Sequence, residues 1–111
     1  MSEKIVPVTI GNLFFQCVRL SNADFKDIAA IYVIICVDTN GKWKILDVGQ
    51  TGELEDRIDS HDRKECWKKN CPNQNIWECV YPMPGNKYTE QDRLDIEKKL
   101  RDQYNPPCGK R

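Results

Sequence analysis

The chain is predicted to fold as an α+β domain: a small three-stranded antiparallel sheet flanked by helices, with an N-terminal arm laid over it. Three observations carry that expectation. Residues 31–37 and 44–48 are apolar, β-branched runs on either side of Asn40-Gly41, and residues 75–81 repeat the pattern. Residues from Thr51 to about Cys66 or Asn70, and from Thr89 to Tyr104, place apolar side chains at helical spacing. The order strand, strand, helix, strand, helix gives an antiparallel sheet with helices rather than a doubly wound one.

Taken in order, residues 1–20 alternate apolar positions (Ile5, Val8, Ile10, Leu13, Phe15, Val18), broken by Pro7 and Gly11-Asn12. They read as an irregular or edge-strand arm. A short helical turn follows from Ser21 or Asn22, so residues 1–29 form the arm and 30–111 the main unit of one structural domain. Asn40-Gly41 is a strong hairpin signal, because both central residues of a type I′ turn need positive φ. With those two residues as the turn, Tyr32 faces Gly49, Ile34 faces Asp47 and Cys36 faces Ile45. Tyr32 and Asp47 then share one face of the sheet. Thr51 supplies a hydroxyl cap for the middle helix, with acids in its first turn. Thr89 caps the last helix, and Pro106-Pro107 ends it.

Size and composition narrow the function classes. The 111 residues suffice for one domain with one modest core. The longest apolar run, 28–37, is far short of the roughly twenty residues of a membrane span and reads as a buried strand. Seventeen basic residues balance seventeen acidic ones, so phosphate affinity would have to come from local patches such as Arg63, Lys64, Lys68 and Lys69. No basic stretch followed by an apolar one marks a secretory signal, and a cytoplasmic location is expected. The six cysteines are then expected as free thiols, with Cys36 and Cys79 as small core residues. A zinc site from His61, Cys66 and Cys71 ranks well behind, since no C-x-x-C pair is present.

Two helices carry polar groups on stripes expected to face inward. Leu94, Glu97, Leu100 and Tyr104, with Arg101, fall on one stripe of the last helix. Leu54, Arg57, Ile58 and His61 share a face of the middle helix. A buried carboxylate needs a cation or a metal, so Glu97, Arg57 and His61 suggest a common polar site. Taken alone, the same residues also suit a salt bridge between helices with a surface histidine, and Tyr32 suits a core aromatic.

The ordered set resembles the GIY-YIG nuclease superfamily across residues 30–109. Ala30-Ile31-Tyr32 stands where that family has Gly-Ile-Tyr, and Asp47-Val48-Gly49 where it has Tyr-Ile-Gly. Arg57 follows Gly49 by eight residues, His61 follows Arg57 by four, and Glu97 precedes Tyr104-Asn105-Pro106-Pro107-Cys108. The resemblance implies a metal-dependent endonuclease that hydrolyses phosphodiester bonds in DNA. Glu97 would hold Mg²⁺ or Mn²⁺, Tyr32 would act as general base, Arg57 would brace the phosphate, and His61 would help manage the proton. Asp47 replaces a family tyrosine, so it either takes a catalytic task of its own or marks an inactive module that binds nucleic acid or protein. Lys64, Lys68 and Lys69 are the candidate contacts to nucleic acid, and no membrane partner is expected.

Overall fold

A computed structural model describes residues 5–20, 28–52 and 63–109. The expected three-stranded sheet is corrected to five strands, all antiparallel, in the order β1-β2-β5-β3-β4. The strands are β1 (Val6–Ile10), β2 (Leu13–Arg19), β3 (Ala30–Val37), β4 (Trp43–Thr51) and β5 (Ile76–Pro82), with helices α1 (Lys64–Lys69) and α2 (Glu90–Tyr104).

The two additional strands come from the segment read as an arm. Gly11 and Asn12 both have positive φ, 57° and 69°. What interrupts the apolar alternation is therefore the tight turn of a β1–β2 hairpin. Pro7 is tolerated because β1 is an edge strand. β2 then pairs with β5, Cys17 opposite Cys79 and Val18 opposite Glu78.

β3 pairs with β4 on one side and β5 on the other, which explains its uninterrupted apolar run. Tyr32 faces Gly49 and Ile34 faces Asp47, as expected, but Cys36 faces Lys44 rather than Ile45. A bulge between Ile34 and Ile35 shifts the register. The turn is also wider than two residues. Asp38 N–H donates to Lys42 O at 2.8 Å, and the Asp38 carboxylate accepts from the Asn40 and Lys42 amides at 2.8 and 2.9 Å. Within the turn Gly41 has positive φ, 81°, and Asn40 does not.

Each sheet face is covered. On one, Tyr32, Ile34, Leu46 and Val80 pack with Trp67 of α1 and with Cys71 and Cys108. On the other, Ile31, Val33, Val48 and Phe15 pack with Leu100 of α2. The middle helix expected from Thr51 differs in its described part: β4 continues through Thr51, and helix appears at Lys64–Lys69. Residues 53–62 lie outside the described residues. α2 starts on a capping box, Thr89 Oγ1 accepting from Asp92 N–H at 3.1 Å and Asp92 from Thr89 N–H at 2.9 Å. It ends on Asn105 in the left-handed region. Among the described residues no helix is long and apolar enough to cross a membrane.

The cysteines depart most from expectation. All six are paired, as Cys17–Cys79, Cys36–Cys71 and Cys66–Cys108. Cys17–Cys79 follows from the β2–β5 register, which could not be derived while residues 1–20 were read as an arm. Cys66–Cys108 ties α1 to the segment after α2.

Candidate functional site

The centre of the polar cluster is Asp47. The bulge in β4 keeps both Leu46 and Asp47 out of solvent, and Asp47 has no exposed surface. A carboxylate buried in an apolar strand costs several kcal/mol unless donors surround it. Three do so. Trp67 Nε1–H donates to one oxygen at 2.8 Å. An Arg101 terminal nitrogen donates to the other at 2.8 Å, and Arg63 pairs with that same oxygen at 3.3 Å.

The two arginines extend the cluster in opposite directions. The second terminal nitrogen of Arg63 donates to the Tyr32 hydroxyl at 3.1 Å. Arg63 therefore bridges Asp47 and Tyr32, which the β3–β4 register had already placed on one face. Arg101 also donates to the Val48 carbonyl and, at 3.3 Å, to the Cys108 carbonyl. α2 lies over the opposite face, so Arg101 reaches Asp47 around the edge strand β4.

Two glycines give the cluster its room. A Cβ on Gly49 would run into the Tyr32 ring. A Cβ on Gly109 would run into Arg63, Arg101 and Asp47, and its φ of 76° already favours glycine. Gly109 is held there by the Cys66–Cys108 disulfide and by Cys108 N–H donating to Leu46 O at 2.9 Å.

Glu97 is only 3% exposed. Its neighbours one turn away on α2 both reach β4. Arg93 Nε donates to Gln50 at 3.1 Å, while Arg101 holds Val48. Glu97 thus lies on α2 level with Gly49, the residue paired with Tyr32. Among the described residues no group of three or more His, Cys, Asp or Glu side chains could hold a metal ion. Mg²⁺ does not require one: it binds through one or two carboxylates and takes its remaining oxygens from water and phosphate. Both oxygens of Asp47 are engaged, by Trp67 on one side and by Arg63 and Arg101 on the other.

Of the residues singled out in the sequence, Tyr32 and Asp47 are brought together through Arg63, while Glu97 lies on α2, which covers the opposite face of the sheet. Arg57 and His61 lie outside the described residues. Lys64, Lys68 and Lys69 are on α1, whose buried side is Trp67, and Lys68 and Lys69 are exposed. Sequence reasoning missed Arg63 and Trp67 as members of the site, and it gave Gly109 no part. A usable signal was present: Asp47 inside Ile45-Leu46-Asp47-Val48 demands buried donors, and Arg63 and Arg101 are arginines beside apolar helix positions.

Comparison of the chain with protein-family models, with curated proteins and with solved structures finds no match.

Proposed function

We propose that this domain is a metal-dependent endonuclease that hydrolyses phosphodiester bonds in DNA, with Tyr32 and Glu97 as its working residues. The observation that carries the reading is the 3.1 Å hydrogen bond from Arg63 to the Tyr32 hydroxyl. The bond fixes the hydroxyl oxygen in place, as a group that is to receive a proton from the attacking water must be. Glu97 is the carboxylate that would hold Mg²⁺ or Mn²⁺, and the ion supplies positive charge to the phosphate as it is attacked. In the resemblance, Arg57 braces the phosphate and His61 assists the proton transfer. Lys64, Lys68 and Lys69 would meet DNA phosphates, each a charge contact without sequence preference.

Asp47 takes a positioning role in this reading. It fixes Arg63, and through Arg63 the phenol. The three disulfides support an oxidising compartment rather than the cytoplasm expected for free thiols.

A second reading, an inactive module that binds nucleic acid or protein, is favoured by the complete burial of Tyr32. Supercoiled plasmid incubated with Mg²⁺, Mn²⁺ or EDTA separates the two. The nuclease reading expects metal-dependent nicking that Glu97→Gln abolishes while the melting temperature stays within a few degrees. Absence of cutting in either metal, by protein that still binds DNA, would establish the second reading.

A further inference from the structure

At the hairpin end of the sheet, away from Tyr32, lies a cleft of about 470 Å³. Asp38, Lys42, Trp43, Lys44, Pro72 and Asn73 line it. Resting on the nuclease reading above, we propose that this cleft is a subsite for an unpaired nucleotide, Trp43 stacking on the base and Lys42 and Lys44 meeting its phosphates.

The walls are prepared before any ligand arrives. The Cys36–Cys71 disulfide joins β3 to the segment after α1. Asn73 donates to the Val37 carbonyl at 2.9 Å, Asn75 donates to the same oxygen at 3.2 Å, and Val37 N–H donates to Asn75 O at 3.0 Å. Asp38 is the one acid in the lining, and its carboxylate is turned into the loop by the Asn40 and Lys42 amides. The charge left to face a ligand is therefore positive. Among the described residues neither Lys42 nor Lys44 takes part in an ion pair.

Trp43 is 36% exposed, one of three large hydrophobic side chains left open among the described residues. The other two, Ile5 and Phe14, belong to the N-terminal segment. An open aromatic ring flanked by lysines is the pattern by which small domains hold single strands, because every base has a face to stack. A paired duplex keeps its bases stacked on one another and cannot use such a ring. The substrate class that follows is single-stranded DNA, or DNA with an unpaired end or flap.

The cleft also lies within reach of the proposed cutting site. Cys36, in its wall, and Tyr32 point to the same face of β3, four residues or about 13 Å apart.

The test uses the intact protein, a short oligothymidylate and EDTA, so that nothing is cut. Binding is expected to quench tryptophan fluorescence, and Trp43→Ala is expected to remove the quench and weaken binding about tenfold or more. Trp43→Phe should retain part of the affinity. The Lys42→Gln/Lys44→Gln variant should lower the slope of log affinity against log salt by about 1.4, the value for two single-strand phosphate contacts. Trp43 is on the surface, so near-ultraviolet circular dichroism of the variants should show the folded state intact. Wild-type protein that nicks plasmid but does not bind the oligonucleotide would overturn this inference and leave the nuclease reading standing. So would equal affinity in wild type and Trp43→Ala. Binding through Trp43 by a protein that never cuts would support the subsite and remove the nuclease.

Discussion

The Arg101 guanidinium donates to the Asp47 carboxylate at 2.8 Å from the far side of the sheet edge. The same nitrogen donates to the Val48 carbonyl on β4, so a single side chain satisfies a buried acid and seals an exposed strand edge. α2 and α1, which cover opposite faces, are joined through this carboxylate. Arg63, immediately before α1, holds the same oxygen.

Removing the anion from this arrangement leaves two guanidiniums facing each other. Asp47→Asn keeps the shape and still accepts from Trp67, but the charge balance is lost. Breaking one partner of a buried pair costs about 3–5 kcal/mol. The arginine side chains are 17% and 15% exposed, which places the expected loss near the lower figure. Urea denaturation measures it. A loss under about 1 kcal/mol, as for a surface pair, would mean the cluster is solvated.

Gly49 offers a test of packing that spares every polar group. Its φ is not in the left-handed region, so alanine is disfavoured there only by the Tyr32 ring. Gly49→Ala is expected to cost about 1–3 kcal/mol, the usual range for overpacking. It should also displace Tyr32 from Arg63. A variant as stable as wild type, with an unchanged tyrosine environment by near-ultraviolet circular dichroism, would show that the ring does not lie on Gly49.

How much of this could be read in the sequence depends on the range of the interaction concerned. The Tyr32–Gly49 pairing follows from local turn chemistry, and the Thr89 cap from the residues that open the last helix. Both held, even though the turn itself is wider than two residues, because the bulge at Ile34/Ile35 restores the register beyond it. The β2–β5 pairing was not legible: it joins Cys17 to Cys79, 62 residues apart, and no local pattern states it. Gly11-Asn12 was misread for a related reason. Asn followed by Gly is the familiar turn order, and here the order is reversed. At the site, Asp47 stood out by its apolar neighbours, but which arginines answered it required the path of the chain after α2.

That path is held by Cys66–Cys108. Cys108 N–H bonds to Leu46 O, its carbonyl accepts from Arg101, and Gly109 lies against the arginines. The disulfide spans 42 residues. In the chain-entropy account, removing a link of that span costs about 4 kcal/mol. The Cys66→Ala/Cys108→Ala protein is therefore expected to unfold at markedly lower urea concentration than wild type. Mild reduction of wild type should give the same shift. Free-thiol titration of the oxidised, denatured protein should find no free cysteine; six titratable thiols would exclude all three links.

Tyr32→Phe separates the structural and chemical roles of the phenol. The hydroxyl accepts one hydrogen bond from Arg63, and its loss should cost about 1 kcal/mol of stability, rising toward about 3 if the guanidinium nitrogen finds no other partner. If the oxygen also takes the proton from the attacking water, cutting should fall by about a hundredfold or more. The pH profile carries the distinction. A general base must be deprotonated to act, so wild-type cutting should rise with pH while that group titrates, and the rise should be absent from the residual activity of Tyr32→Phe. A purely structural tyrosine would lower the amount of folded protein and leave the shape of the profile unchanged. Cutting within a few-fold of wild type, with the same pH dependence, would remove Tyr32 from the chemistry and leave it as a core aromatic.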